Sequence, residues 1–301
     1  MRTLTYRATN ADEGRTVQSI LRCEFACSES HISRLKRREE GILLGGARCY
    51  VTARVKAGDV LSVEIGDLPD GHIVPMEFPL VVVYEDEDLL IIDKPAGIAV
   101  HQSTRDPEEL TLENAVCHYL GGHISPHPVS RLDRGTSGLM AFAKSGYLHE
   151  RLRRQMHSQD YARVYLGIAV GRVTPPDGII ELPIGMAEGS TYQRAIVPDG
   201  QSAKTEYMTI ATNERFTLLR LVPQTGRTHQ LRLHMSAIGY PLAGDWLYGA
   251  EDRQLIARPA LHSYELTLTH PMTGEQIHLT AELPEDMRRL IVLSNDLEEN
   301  R

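Results

Sequence analysis

The 301-residue chain has four cysteines and no apolar run approaching the roughly 18 to 20 residues that a membrane span needs. Cys23, Cys27, Cys49 and Cys117 follow no zinc-type spacing and are too sparse for a disulfide framework. Free thiols in a reducing cytosol are the expectation. Met1 to Asn10 lacks an apolar core behind its positive charge, so neither a secretory signal nor membrane attachment is expected. Internal repeats and low-complexity tracts are missing. So is any glycine motif of the dinucleotide or P-loop kind, and no cofactor is expected. What remains, 42% apolar and 24% charged, is an ordinary soluble composition. A monomer is the default.

The net charge of -8 argues against a nucleic-acid partner only until its distribution is read. Residues 1–66 hold 11 Lys and Arg against 8 Asp and Glu, whereas the other 235 residues hold 21 against 32. Within that acidic remainder, Arg131 to Arg163 carries seven basic and three acidic residues. Arg215 to Gly244 carries four basic residues and no acidic one. Positive charge is gathered into the windows that also hold the motifs below.

Residues 1–66 read as two short helices and a small hairpin. Val17, Ile20, Leu21 and Phe25 share a helical face. Ser28 can cap a second helix, running to Glu40, that buries Ile32 and Leu35 and presents Arg34, Lys36, Arg37 and Arg38. Strands are expected over Ile42–Leu44, Ala47–Val51 and Val60–Ile65. Residues 67–79 read as a linker, because Gly66 to Pro79 contains five Gly or Pro in 14 residues. Residues 80–301 form the larger domain, with strands over Leu80–Tyr84, Leu89–Asp93, Ala162–Val170, Lys204–Ala211, Thr217–Val222, Leu261–His270 and Gln276–Ala281. Helices are expected around Leu112–Leu120 and Leu148–Met156, after a Thr228 cap, and from Pro284 through Leu293. Several strands follow one another without a crossover helix, which predicts an α+β fold with a mixed sheet. A chain starting near Pro79 should bury its own core.

Three segments carry chemistry. In the first, Pro128-Val-Ser-Arg-Leu-Asp-Arg-Gly-Thr-Ser-Gly138, an apolar strand meets a polar turn holding Asp133, after which an apolar strand resumes. Asp133 is either a turn residue accepting backbone hydrogen bonds or a carboxylate presented on a rigid strand end between Arg131 and Arg134. In the second, Val222-Pro-Gln-Thr-Gly-Arg-Thr-His-Gln-Leu-Arg-Leu-His234, Arg227 stands at the mouth of a helix that favours an anion, either a phosphate or a protein carboxylate. His229 and His234 lie five residues apart, which splays them on a helix, and no Cys or carboxylate ligand stands beside them; no metal site is expected. The third, Tyr161-Ala-Arg-Val-Tyr165, is unremarked alone: a Tyr alternating with apolar residues usually belongs to a sheet.

Together these segments resemble the RluA/RluD-type pseudouridine synthases. Ile91-Ile-Asp-Lys-Pro-Ala-Gly-Ile-Ala-Val-His101 resembles the family's opening motif, and Arg131-Leu-Asp-Arg-Gly-Thr-Ser-Gly138 its signature, which implies that Asp133 is catalytic. Tyr165 matches the active-site Tyr of a Lys-x-Tyr type motif, with Arg163 here at the Lys position. Thr225-Gly-Arg-Thr-His-Gln-Leu-Arg-Leu-His234 resembles the motif whose Arg pairs with the catalytic Asp, a role that falls on Arg227. Pro241-Leu-Ala-Gly-Asp-Trp-Leu-Tyr-Gly249 and Ala260-Leu-His262 follow in order, so the resemblance covers residues 80 to 293. Residues 12 to 66 are similar to the alpha-L RNA-binding domain first known from a ribosomal small-subunit protein. One departure is Ser130, where the family usually has His; it bears on the loop's contact with RNA and on substrate preference.

The resemblance implies a mixed, largely antiparallel sheet with flanking helices behind a small αα-β-hairpin RNA-binding domain. It implies an isomerase that detaches uracil from ribose and rejoins it through carbon 5, with no redox step and no second reactant. Asp133 would attack the anomeric carbon or take a ribose proton, and the sequence leaves both routes open. Tyr165 would stack on the base and help remove the proton from carbon 5. The target base must flip out of its helix, and Arg131, Arg134, Arg163 and His229, with the four N-terminal cations, are the expected RNA contacts. Large-subunit ribosomal RNA is the expected substrate, with transfer RNA second. Two rival readings are an idle RNA-binding or ribosome-assembly protein of the same fold and an RNA glycosidase that releases uracil.

Overall fold

The computed structural model describes residues 2–67, 73–103, 106–156, 158 and 160–292. The first strand, β1 (Arg2–Arg7), is followed by helices α1 (Val17–Cys23) and α2 (Glu29–Leu35), then β2 (Ile42–Leu44), β3 (Ala47–Arg48) and β4 (Val60–Ile65). The Thr16 hydroxyl accepts from Ser19 N at 3.2 Å and that of Ser28 from His31 N at 3.2 Å, so both helices are capped, the second at its expected residue. β1 was not anticipated; it pairs antiparallel with β4 and completes a sheet in the order β1-β4-β2-β3. α2 stops at Leu35, five residues short of the expected end. The chain turns back so tightly there that a Cβ on Gly41 would lie 2.1 Å from the Leu35 carbonyl oxygen, which only glycine tolerates.

The larger part begins with β5 (Val81–Glu85), β6 (Leu89–Lys94), α3 (Leu112–Tyr119), β7 (His127–Pro128), β8 (Ser137–Ala143) and α4 (Gly146–Gln155). It continues with β9 (Tyr161–Val170), β10 (Asp177–Glu181), β11 (Ile184–Met186), β12 (Arg194–Ile196), β13 (Lys204–Thr212) and β14 (Phe216–Pro223). Then come α5 (Gln230–Ala237), β15 (Leu261–Thr269), β16 (Gln276–Thr280) and α6 (Glu285–Val292). Leu293, the expected end of the last helix, lies outside the described residues. The long expected strands all form, and the additions β7, β10, β11 and β12 are only two to five residues long, too short to show a period.

All of these strands but β11 and β12, which pair with each other, build one sheet in the order β10-β13-β14-β9-β15-β8-β6-β5, with β16 on β15 and β7 on β8. It is antiparallel except where β15 meets β8, through His262 opposite Ser137 and Ser263 opposite Gly138. That contact explains a glycine of the signature. Gly138 has φ +109°, and a Cβ there would stand 2.3 Å from the Ser263 carbonyl oxygen.

Both faces of the central strands are covered. Leu89 and Ile91 of β6 and Leu139, Ala141 and Ala143 of β8 join a core with Val17, Ile20, Leu21, Ile32 and Leu35 of the N-terminal helices. The alternate residues Leu90, Ile92, Met140 and Phe142 join a second core with Leu112 and Val116 of α3 and Leu231 and Met235 of α5. Hence β6 reads as an unbroken apolar run rather than an alternating one.

The N-terminal unit is therefore a lid on the sheet, not a tethered module. The Tyr147 hydroxyl donates to the Phe25 carbonyl at 2.7 Å across a buried contact. The Asp67 carboxylate accepts from Gly146 N at 2.6 Å, lies 2.6 Å from His127 Nε2 and faces Arg34 at 3.7 Å. The expectation that a chain starting near Pro79 buries its own core does not fit this arrangement, because the face under α1 and α2 would be bare.

Candidate active site

Loop 129–136 connects β7 to β8 and carries Asp133 to the rim of a cavity of about 800 Å³. Lys94, at the end of β6, holds this loop from beneath. Its ammonium is fully buried and donates to the carbonyls of Pro95 (2.9 Å), Arg134 (3.2 Å) and Thr136 (2.8 Å). Burial pushes the Lys94 pKa down to about 8, although the nearby Asp133 pulls it up. The Thr136 amide closes the turn on the Asp133 carbonyl at 3.0 Å, and Gly97 N bonds the Arg134 carbonyl at 2.8 Å. The first family motif thus supports the second, a link that spacing alone could not show.

Every expected site residue of the larger domain lines this cavity: Asp133, Tyr165, Arg227, Arg131, Arg134, Arg163 and His229. Tyr165, in the middle of β9, is 5% exposed. Arg163, two residues earlier on the same strand, reaches the Tyr161 ring at 5.8 Å and hydrogen-bonds the Tyr165 side chain. Arg134 leaves Asp133 for the carboxylate of Glu109, which it grips through both nitrogens. Arg131 donates to the Thr228 hydroxyl at 3.3 Å. Among the described residues, Arg131, Arg163 and Arg227 meet no carboxylate. Ser130, where a His was expected, is buried with its hydroxyl 3.5 Å from that of Tyr161.

The cation beside Asp133 is not the expected one. Arg227 is turned away, its Nε donating to the Ser202 carbonyl at 3.1 Å. Arg232, five residues later in the first turn of α5, places Nη1 3.5 Å from Asp133 Oδ2. Its fork is taken by Asp245, with Nε to Oδ2 at 2.8 Å and Nη2 to Oδ1 at 2.7 Å. Burial opposes charge on Arg232, but the hydrogen bonds and charge of Asp245, and then Asp133, hold its pKa above the ordinary value. A sequence signal existed. Arg232 interrupts an apolar helix between Leu231 and Leu233, and a buried Arg requires a carboxylate such as the one in Gly244-Asp245.

The expected Thr228 cap also gives way. α5 starts at Gln230, and its N-cap His229 sits at φ +58° with no side-chain cap bond. The Gln230 amide carries out the task instead, accepting from Arg227 N at 3.0 Å and donating to the Lys204 carbonyl at 2.9 Å. Thr228 is engaged by Arg131. His234 is buried, bonded to the Thr205 hydroxyl and the Leu182 carbonyl, each at 3.0 Å.

The four N-terminal cations lie away from the cavity. Arg34 faces Asp67 and Arg38 faces Glu64 at 3.7 Å, whereas Lys36 and Arg37 are exposed. Among the described residues no helix is long and apolar enough to cross a membrane, and the four cysteines carry no disulfide.

A mixed sheet thus brings a carboxylate and a buried guanidinium to one cavity, whose lining includes three arginines that meet no carboxylate among the described residues. Residues 88–237 match the RNA pseudouridylate synthase family model. The chain is 33% identical over 282 residues to ribosomal large subunit pseudouridine synthase D of Escherichia coli, covering 87% of this chain and 86% of that protein. It is 35% identical over 271 residues to an uncharacterized RNA pseudouridine synthase of Bacillus subtilis, covering 89% and 95%. The fold matches that of human RNA pseudouridylate synthase domain containing 4, with a TM-score of 0.57 at 23% identity over 71% of this chain and 93% of the other. The chain belongs to the RNA pseudouridine synthase family and is an isomerase.

Proposed function

We propose that the protein isomerises uridines of large-subunit ribosomal RNA, with Asp133 as the reacting carboxylate. The observation that carries this reading is the division of Arg232. Asp245 takes its fork and leaves Nη1 for Asp133, the one carboxylate of the loop, at the rim of a cavity. Among the described residues, no other side chain lies within ion-pair distance of that carboxylate.

Asp133 is positioned as nucleophile toward the ribose anomeric carbon or as base toward a ribose proton, and Arg232 offsets the charge it brings. Tyr165, buried in β9 beneath the cavity, supplies a ring to stack on the uracil and a phenol to help remove the carbon-5 proton. Arg131, Arg163 and Arg227, free of carboxylates, supply the phosphate contacts that hold a flipped nucleotide. The relatives named for the ribosomal large subunit support that choice of RNA. The test is pseudouridine mapping of ribosomal and transfer RNA in a strain lacking the gene. Loss of ribosomal sites is expected, and loss confined to transfer RNA would overturn the assignment.

A further inference from the structure

We propose that Tyr248 is a positioning residue that fixes His229 as the tautomer protonated on Nε2, so that His229 meets the target nucleotide as a neutral hydrogen-bond donor. This rests on the cavity being the seat of that nucleotide. Tyr248 follows α5 in the loop that contains Asp245. Its hydroxyl oxygen accepts the backbone N–H of Arg194 at 3.0 Å and lies 2.9 Å from His229 Nδ1. A phenol has one proton to give. With Arg194 already donating to the oxygen, that proton has one acceptor among the described residues, His229 Nδ1. The reverse arrangement, with Nδ1 protonated, would leave the phenol proton without a protein partner. The phenol proton and Nδ1 are both paired when Nδ1 accepts, and the ring's proton then sits on Nε2.

The surroundings hold this arrangement in place. Asp245 Oδ1, which takes one arm of Arg232, also accepts the backbone N–H of Leu247 at 3.1 Å and of Tyr248 at 3.2 Å. The Ser236 hydroxyl donates to the Tyr248 carbonyl at 2.6 Å, and the Arg232 guanidinium lies 5.3 Å over the Tyr248 ring. One buried carboxylate therefore aims the cation toward Asp133 and sets the phenol behind His229. His229 pays for its place with a left-handed backbone, φ +58°, which a non-glycine residue keeps only when its contacts impose it. Burial lowers the imidazole pKa and outweighs the opposing pulls of Asp133 and Asp245, with Arg232 and Arg194 acting in the same direction as burial. A neutral N–H donor matches a carbonyl oxygen of the uracil ring.

The experiment is long-range proton–nitrogen NMR of the histidine side chains, with His229 assigned by the signal lost in His229→Gln. At pH 7 the His229 ring should show a bare Nδ1 and a protonated Nε2, and Tyr248→Phe should mix the tautomers. A protonated Nδ1 in the wild type, or an unchanged ring in Tyr248→Phe, overturns the proposal. In turnover, Tyr248→Phe should lower kcat/KM at least tenfold and add no further loss to His229→Ala. His229→Gln, which can offer an amide N–H, should recover much of the activity that His229→Ala lacks. Wild-type kinetics in Tyr248→Phe with mixed tautomers would remove the positioning role. Asp133→Asn run beside these tests the catalytic reading separately, because the tautomer is read without turnover.

Discussion

Arg232 touches two carboxylates unequally: Asp245, fully buried, through two bonds of 2.7 and 2.8 Å, and Asp133, 26% exposed, at 3.5 Å. Removing the cation should therefore hurt folding through Asp245 and catalysis through Asp133. Arg232→Met should cost about 3 to 5 kcal/mol, the usual penalty for stranding a buried charge. Adding Asp245→Leu should restore much of that stability and none of the activity, whereas adding Asp133→Leu should restore little. Urea unfolding of the three variants and the wild type decides it; restoration by Asp133→Leu instead would show that the 3.5 Å contact is the structural one.

Asp133→Asn keeps the side chain's shape and removes the group the reaction needs. Tritium release from RNA labelled at carbon 5 of uridine should fall at least a thousandfold, with melting unchanged to within a few degrees. A loss smaller than tenfold, about 1.4 kcal/mol in the barrier, would place the reacting carboxylate elsewhere.

Lys94→Met should lower both stability and activity although Lys94 itself does not line the cavity. Three carbonyls lose the ammonium, two of them in the loop that carries Asp133; that of Arg134 keeps its bond from Gly97 N, whereas that of Thr136 loses its donor, at about 1 to 3 kcal/mol for an unsatisfied buried group. The discriminating measurement is kcat against KM. Loop disorder should appear mainly in kcat, and an unchanged kcat would show that the turn holds its shape without the ammonium.

His31 lies at the seam between α2 and α4, its ring 5.3 Å from that of Tyr147 and both nitrogens without a protein partner. Burial pushes its pKa down to about 4. The folded state thus binds the proton less readily than the unfolded state, whose His titrates near 6.5. Stability is full above about pH 6.5 and declines as pH falls toward 4, by up to about 3 kcal/mol from this residue. His31→Phe should flatten the pH dependence of unfolding over that interval. An unaltered slope would assign acid lability to other groups, of which buried His262, also pushed down to about 4, is the next candidate.

Because α1 and α2 cover the sheet, removing residues 1–78 should yield an insoluble or partly unfolded chain rather than an active core. The RNA contacts expected of the cations just beyond α2 are better tested in the full chain. Lys36→Glu with Arg37→Glu changes two exposed cations that hold no core together. If both touch phosphates, the slope of log affinity against log salt on ribosomal RNA should become shallower by about 1.4 to 1.8. An unchanged slope would leave the RNA grip to Arg131, Arg163 and Arg227.

The sequence by itself determined the family, the long strands and the membership of the cavity. Asp133, Tyr165, Arg163 and His229 were readable through the resemblance of their motifs to a known family; alone, the turn at Asp133 had two readings and a Tyr in strand alternation marked only a sheet. The helix cap at Ser28 was readable locally, as a hydroxyl three residues before a free N–H. What the tertiary structure alone decided is which cation meets Asp133. Arg227 and Arg232 share one motif, and the choice depends on Asp245, thirteen residues beyond Arg232, whose buried carboxylate takes the Arg232 fork. The role of Lys94 was hidden for a related reason: two of its three partners are backbone carbonyls some forty residues away, and backbone carries no sequence signature. The fate of the N-terminal unit was hidden as well. A Gly/Pro-rich stretch marks where regular structure stops, but whether two units part or pack depends on the apolar faces they turn to each other. Here Leu89, Ile91, Leu139 and Ala141 turn theirs to α1 and α2.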